Sequence, residues 1–216
     1  MSGPERHLVV ARLREEIRRL ERRPARREGV VPCGIDGVDA ILPGGGFPCG
    51  RIAELVGGPA SGKTTVALAL FASLGPDTLV AYVDGRGELH PPAAANHGVA
   101  LSRLLVVRPP ATAPSADGRE GPYVVRAGLW AAEALLASGA FAAVAIDLAI
   151  GRALVGGDAV GRRLQAAAER GGAVGLWLGP GPRTPGALRL ELAVEAGRIV
   201  ARRAVAARGG GDHRVA

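Results

Sequence analysis

The stretch from Glu54 to Leu70, "ELVGGPASGKTTVALAL", decides the fold. It contains Gly57-x-x-x-x-Gly62-Lys63-Thr64, which is the spacing of a phosphate-binding P-loop. The apolar run 51–56 before it predicts a buried strand, and the residues after it favour a helix. In such a loop, glycine N–H groups surround phosphate oxygens and the helix start adds the positive end of its dipole. The pattern therefore predicts a nucleotide site, and an ordinary turn is the alternative.

The loop also predicts which groups hold the ligand. Lys63 would bridge the β- and γ-phosphates, and the Thr64 hydroxyl would hold Mg²⁺. Lys63 is the single lysine among 27 basic residues, and a compact ammonium is not interchangeable with a guanidinium. We expect ATP or ADP, bound weakly with Mg²⁺, to contact Gly57, Gly58, Pro59, Ala60, Ser61, Gly62, Lys63, Thr64 and Thr65.

A second candidate is Asp147, in the most hydrophobic run of the chain, "FAAVAIDLAI" (141–150). A carboxylate at the carboxyl end of a buried parallel strand faces the crevice in which ligands bind. Asp147 could therefore reach the same Mg²⁺ through water. A structural role as the cap of the following turn is the alternative.

The order of elements predicts an α/β fold with a mainly parallel sheet flanked by helices. Residues 187–205 alternate in two halves around Glu195-Ala196-Gly197 and predict an antiparallel hairpin at one edge. The other predicted strands are 51–56, 78–84, 103–107, 141–150 and 173–179, and the predicted helices are 63–74, 91–99, 124–139 and 159–172.

The first residues read as an amphipathic helix. Val9, Leu13, Ile17 and Leu20 form one apolar stripe among arginine and glutamate. This helix packs either on its own domain or on a partner. We predict a helical arm over 1–30, a P-loop domain over 31–208 and a flexible basic tail over 209–216.

Composition narrows the functional class. The 216 residues suit one domain, and the net charge of +7 indicates either a polyanionic partner or a general bias towards arginine. Aromatic residues make up only 3%, which disfavours base-stacking platforms. Cys33 and Cys49 are too few for a disulfide framework. With no apolar run of membrane-spanning length, we expect a soluble cytoplasmic protein with no membrane partner.

The segment "GIDGVDAILPGGGFPCGRIAELVGGPASGKTTVALAL" resembles the opening of the RecA ATPase core. The resemblance continues through "AYVDGRGELHPPAAANHGV" to the Asp147 strand and covers roughly Gly34 to Val205. A short chain with an N-terminal amphipathic helix and an arginine-rich end is more similar to the ImuA family. These are RecA-like accessory proteins of bacterial SOS mutagenesis. The resemblance implies a RecA-like fold, and as partners RecA itself, an ImuB-type polymerase-like protein and DNA.

One position departs from the RecA pattern. RecA places its catalytic glutamate two residues after an aspartate. Here that aspartate is Asp84 and the glutamate position holds Arg86. A guanidinium cannot accept a proton from water, so we predict no catalytic residue and little ATP hydrolysis. Arg86 could point at the γ-phosphate or face solvent, and Glu88 could act as base only if the loop bends differently.

Other RecA contact positions are weakened as well. His90 and Ala93 stand where RecA holds adenine with a carboxylate and a tyrosine, and His90 either stacks on the base or lies on the surface. The two RecA loops that contact DNA shrink to about 151–159 and 179–186, without aromatic residues. Sequence-independent phosphate contacts would then fall to arginines at both ends of the chain, with a solvated charged face as the alternative: Arg18, Arg19, Arg22, Arg23, Arg26, Arg27, Arg198, Arg202, Arg203 and Arg208.

These features predict an accessory protein of SOS-induced mutagenesis and translesion DNA synthesis, non-catalytic or weakly catalytic. The main alternative is an active DNA-stimulated ATPase with recombinase-like activity. A small-molecule P-loop kinase is disfavoured by the glycine-rich turn 45–52 before the P-loop, and nothing in the sequence supports a cell-division inhibitor.

Overall fold

The computed structural model of the protein describes residues 28–110, 122–149, 157–179 and 187–204. A seven-stranded sheet forms its centre, in the spatial order Leu104–Val107, Leu79–Asp84, Phe141–Asp147, Val174–Leu178, Ile52–Val56, Leu188–Glu195 and Arg198–Ala204. All neighbouring strands are parallel except the last two in this order, which form an antiparallel hairpin at one edge. The predicted fold class is therefore confirmed: an α/β fold with a mainly parallel sheet and a terminal hairpin.

The strands of the main sheet are β3 (Ile52–Val56), β4 (Leu79–Asp84), β5 (Leu104–Val107), β6 (Phe141–Asp147), β7 (Val174–Leu178), β8 (Leu188–Glu195) and β9 (Arg198–Ala204). A separate two-stranded sheet consists of β1 (Val30–Val31) and β2 (Phe47–Pro48). The helices are α1 (Asp36–Asp39), α2 (Lys63–Ser73), α3 (Pro91–Asn96), α4 (Pro122–Ala137) and α5 (Gly157–Gly171), and 3-10 turns cover Pro43–Gly45 and Leu101–Arg103.

The two faces of the sheet carry separate cores. Because successive side chains of a strand point to opposite faces, Val80 and Tyr82 pack on the face covered by α1, α2 and α3. Ala81 and Val83 pack on the face covered by α4 and α5. This alternation puts the even-numbered side chains of β4 and the odd-numbered side chains of β6 beside the P-loop helix α2.

Several predicted strand boundaries differ from the observed ones by a residue or more, and two of these differences have a clear physical reason. The strand predicted over 141–150 ends at Asp147, because its neighbour β4 ends at Asp84, the residue in register with Asp147. The strand predicted to begin at Arg103 begins at Leu104, because Arg103 closes a 3-10 turn and donates hydrogen bonds to the carbonyls of Thr78 and Phe71.

The hairpin turn is at the predicted place. Ala196 has φ 49° and Gly197 has φ 74°, and two consecutive positive φ angles are the requirement of a two-residue type I′ turn. Glu195 pairs with Arg198 at the end of the ladder. The polar-apolar alternation on both sides of Ala196-Gly197 was therefore sufficient to predict the hairpin and its register.

Several predictions fall wholly or mostly on residues that the structure does not describe. They are the helical arm over 1–30, the basic tail over 209–216, and the loops over 151–159 and 179–186. Cys33 and Cys49 are both described and do not form a disulfide with each other. Burial is the main cause that raises the pKa of the Cys33 thiol to about 12.

Candidate functional site

The P-loop lies where the sequence predicts it, between β3 and α2. The strand ends at Val56 and the helix begins at Lys63, so residues 57–62 form the connecting loop. Gly62 is the residue immediately before the helix and has φ 89°. The N–H groups of the first helical turn have no partner within the helix, and they lie next to the loop. The fold thus provides the strand–loop–helix arrangement that phosphate binding requires.

Two glycines of the loop are required by its contacts with the hairpin. Gly57 has φ 153°, and a Cβ atom there would lie 2.4 Å from the carbonyl oxygen of Leu192 in β8. A Cβ atom at Gly62 would lie 2.7 Å from Cδ1 of Ile199 in β9. The β8–β9 hairpin therefore packs directly against the phosphate-binding loop and forms one side of it.

The Lys63 ammonium folds back over the loop. Its Nζ donates hydrogen bonds to the carbonyl oxygen of Gly57 (3.1 Å), the carbonyl oxygen of Gly58 (2.7 Å) and Oγ of Ser61 (3.0 Å). Burial and the positive charge of Arg86 lower the pKa of Lys63, and the negative charge of Asp147 opposes them. The lysine thus lies within electrostatic reach of both residues.

Asp147 lies at the carboxyl end of β6, with 7% of its surface exposed. Oδ2 accepts a hydrogen bond of 3.0 Å from the Tyr82 hydroxyl on the adjacent strand. The Thr64 side chain lies close enough to that hydroxyl to lower the pKa of Tyr82 against the larger causes that raise it. Tyr82 therefore lies next to both residues that the sequence nominated as metal ligands.

The second oxygen of Asp147 faces Arg86. Nε of Arg86 lies 2.8 Å from Oδ1, and the Arg86 side chain is 38% exposed. Of the two orientations predicted for Arg86, the solvent-facing one agrees with its exposed side chain, and its guanidinium is in addition held at the site by Asp147. Both carboxylate oxygens have protein partners, Tyr82 and Arg86, and neither partner belongs to the turn that follows Asp147.

Burial raises the pKa values of both Asp147 and its hydrogen-bond partner Tyr82. It raises the pKa of Asp147, and the Tyr82 hydrogen bond and the Arg86 charge oppose that rise. Burial and the Asp147 charge both raise the pKa of Tyr82, so the phenol keeps its proton and remains a donor. The negative charges of Glu88 and Asp84 also raise the pKa of Asp147, which places Glu88 close to the site.

Asp84 has a structural role in the loop that carries Arg86. Its carboxylate accepts hydrogen bonds from the backbone N–H groups of Glu88 (3.0 Å) and Leu89 (3.3 Å). It also forms an ion pair of 2.9 Å with Nε of Arg108, and the Arg108 guanidinium donates to the carbonyl oxygen of Leu89 (2.9 Å). Asp84 and Arg108 together fix the turn from β4 to α3.

The positions compared with the RecA adenine contacts lie apart from this cluster. His90 is exposed and precedes α3, whereas Ala93 is half-buried within it. Of the two alternatives for His90, the surface histidine agrees with the structure. An alanine methyl offers little area for base stacking.

The structure brings together Lys63, Thr64, Arg86 and Asp147, which the sequence had nominated separately. Sequence reasoning missed Tyr82. Its signal was available: it lies two residues before Asp84 on one strand, so its side chain points to the same face as Asp84. The partner of Asp84, Arg108, follows β5 at the same end of the sheet, where parallel strands collect their polar residues.

The parallel sheet, the strand–loop–helix P-loop and the carboxylate two strands away define a P-loop α/β domain. Strand β7 lies between the P-loop strand β3 and the Asp147 strand β6. More particularly, the chain belongs to the RecA N-terminal domain family, whose profile matches residues 13–155.

Individual relatives match over shorter segments. The RecA protein of Heliobacterium modesticaldum is 38% identical over 119 residues, 55% of this chain and 31% of that protein. The RecA protein of Lactobacillus delbrueckii subsp. bulgaricus (strain ATCC 11842) is 36% identical over 118 residues, 54% of this chain and 32% of that protein. The RecA protein of Nocardioides sp. is 42% identical over 81 residues, which make up 37% of this chain and 23% of that protein. The matched segments thus span between 23% and 32% of these RecA proteins.

Among the described residues, no group of three or more His, Cys, Asp or Glu side chains could hold a metal ion by itself. A Mg²⁺ site of one or two protein ligands completed by phosphate and water needs no such group. No helix in the described part of the chain has the length and apolarity needed to cross a membrane.

Proposed function

We propose that this RecA-family protein is an ImuA-type accessory factor of SOS-induced mutagenesis and translesion DNA synthesis. In this proposal it binds RecA and an ImuB-type partner, retains a P-loop for ATP or ADP, and hydrolyses the nucleotide slowly or not at all. Nucleotide contacts are assigned to residues 57–65. The domain boundaries at residues 31 and 208 belong to the same proposal.

The observation that carries the proposal is the ion pair between Arg86 and Asp147. The loop that would hold phosphate has the complete P-loop spacing, whereas the position of the general base holds a cation 2.8 Å from the nearest buried carboxylate. Loss of a positioned general base lowers a rate by roughly 10²- to 10⁴-fold. A RecA-like domain that keeps the phosphate-binding loop but has no base at position 86 suits a protein that binds nucleotide rather than hydrolysing it.

The β8–β9 hairpin is the part of the described surface that we propose as a RecA contact. It lies at the edge of the sheet, and Val194 near its tip is 49% exposed. Its contacts with Gly57 and Gly62 link that surface to the P-loop. The N-terminal arm is the other proposed contact, and its residues lie outside the described ranges.

The proposal also includes contacts between exposed arginines and DNA phosphates. Among the described residues, Arg198 and Arg202 are exposed on β9, and Arg202 lies 3.5 Å from the Glu195 carboxylate. Contacts of this kind bind phosphate without reading sequence and weaken steeply as salt rises.

The test is a binding measurement with purified RecA and ImuB-type protein from the same organism. We expect both to bind the full chain, and we expect Val194→Asp to weaken RecA binding. Leu105→Asp is the matched control, because Leu105 is similarly exposed (43%) on β5, the opposite edge of the sheet. If neither partner binds the wild-type chain, the accessory role is wrong. Equal losses in the two variants would remove the hairpin from the contact.

A second function has one observation in its favour. Glu88 is close enough to raise the pKa of Asp147, so a carboxylate lies near the site although position 86 holds arginine. A DNA-stimulated ATPase would use it as base. ATP hydrolysis that single-stranded DNA accelerates and that Lys63→Ala and Glu88→Gln both abolish would establish this alternative. Background hydrolysis in all three proteins would exclude it.

A further inference from the structure

The charges around the P-loop are balanced without a metal ion. Lys63 and Arg86 each contribute a positive charge, and Asp147 and Glu88 each a negative one, so the four groups together are neutral. Asp84 lies at the same end of the sheet and is matched by Arg108. With a glutamate at position 86, the same four positions would carry two negative charges, and a divalent cation would be needed to restore neutrality.

The carboxylate that would direct a metal is already bonded on both oxygens. Oδ1 of Asp147 contacts Nε of Arg86 at 2.8 Å, and Oδ2 accepts the Tyr82 hydroxyl at 3.0 Å. The other nominated ligand, Thr64, lies close to the same Tyr82 hydroxyl. A Mg²⁺ ion demands near-ideal octahedral geometry and gives up its waters reluctantly. An ion placed here would have to compete with Arg86 and Tyr82 for the Asp147 carboxylate, so the residues fit a metal poorly.

Arg86 can itself interact with phosphate. The contact with Asp147 uses Nε, and a guanidinium carries further N–H donors on its two terminal nitrogens. Its planar arrangement suits paired contacts with phosphate oxygens. The positive charge of Arg86 lowers the pKa of Lys63, so the two cations are close enough to act on one polyphosphate.

We propose that Arg86 takes the place of the divalent cation, and that the P-loop binds a nucleoside di- or triphosphate without Mg²⁺. This rests on the nucleotide-binding part of the proposed function and is independent of the RecA contact. Asp147 then serves to position Arg86 rather than to direct a metal.

The experiment is a calorimetric titration of ATP into the full chain, once with Mg²⁺ and once with excess EDTA. We expect the two wild-type dissociation constants to agree within about threefold, a difference of roughly 0.6 kcal/mol. Arg86→Ala should lose at least about tenfold in EDTA, and Mg²⁺ should restore part of the loss. Arg86→Lys should retain part of the metal-independent binding, because it keeps the charge and loses the planar donors.

Two controls and a spectroscopic readout separate the outcomes. Arg163→Ala removes an exposed cation from α5, on the face of the sheet opposite α2, and should leave both constants unchanged, whereas Lys63→Ala should abolish binding. Electron paramagnetic resonance of Mn²⁺ should detect no ATP-dependent binding of the ion to the wild-type protein and should detect it for Arg86→Ala. Binding of ATP that requires Mg²⁺ in the wild type would overturn the inference and leave the nucleotide site standing. No ATP binding in either buffer would overturn both.

Discussion

Replacing Tyr82 with phenylalanine tests whether the Tyr82–Asp147 hydrogen bond organises the site. The change removes one oxygen from a residue with 1% of its surface exposed. The donor–acceptor distance is 3.0 Å, and the acceptor is a carboxylate that is itself 7% exposed. A hydrogen bond to a charged group contributes about 1.5–3 kcal/mol, and a buried acceptor that loses its donor bears the desolvation penalty. We therefore expect Tyr82→Phe to lower the free energy of unfolding by about 2 kcal/mol.

The assay is urea denaturation followed by circular dichroism and by the fluorescence of the buried Trp177. A midpoint shift at constant m-value would report stability alone. In a double-mutant cycle with Asp147→Asn, a coupling energy of about 1–2 kcal/mol is expected for two groups in direct contact. The exposed Arg202–Glu195 pair, with side chains 78% and 56% exposed, should give less than about 0.5 kcal/mol in the same cycle.

A loss below about 0.5 kcal/mol for Tyr82→Phe, together with no coupling to Asp147, would refute the reasoning, since effects of that size are ordinary for neutral surface changes. It would mean that the carboxylate is satisfied without the phenol. The conclusion that Tyr82 organises the site through its hydrogen bond to Asp147 would then be wrong.

Three further changes follow from the same structure. Ala196→Asn should raise the free energy of unfolding by about 0.5–1 kcal/mol in urea denaturation, because Asn tolerates the positive φ of 49° at the type I′ turn; a decrease would contradict the turn assignment. Gly62→Ala should destabilise by about 1–3 kcal/mol through its φ of 89° and the contact with Ile199, and thermal unfolding should show partial rescue in the double variant with Ile199→Ala. Burial raises the pKa of Asp147 in the folded state, so the wild type loses stability as pH rises from the unfolded pKa of about 4 through the higher folded pKa. Asp147→Asn lacks this titration and should therefore gain stability relative to the wild type over the same pH range. Parallel curves of unfolding free energy against pH would contradict this.

The main features of the fold could be predicted from local patterns. The glycine spacing fixed the strand–loop–helix unit, and the alternation around Ala196-Gly197 fixed the hairpin, because both depend on residues close together in sequence. The end of β6 could not be predicted in the same way. It is set by pairing with β4, whose last residue Asp84 is in register with Asp147, and such pairing is not visible in either strand alone.

The composition of the site was partly predictable for the same reason. Lys63, Thr64 and Asp147 belong to recognisable patterns, and Arg86 was notable as a departure from one. The partnership of Arg86 with Asp147 and the bridging position of Tyr82 depend on how neighbouring strands align. Sequence could show that position 86 holds an arginine, and only the arrangement of the strands shows that its guanidinium faces Asp147.

The contact between Gly62 and Ile199 also bears on the order in which the chain folds. The two residues are far apart in sequence, and contacts between distant residues form late because a long loop must close first. The packing around the phosphate loop is thus completed only when β9 has joined the sheet. A chain still emerging from the ribosome would carry the whole glycine motif before β9 is available to pack against it.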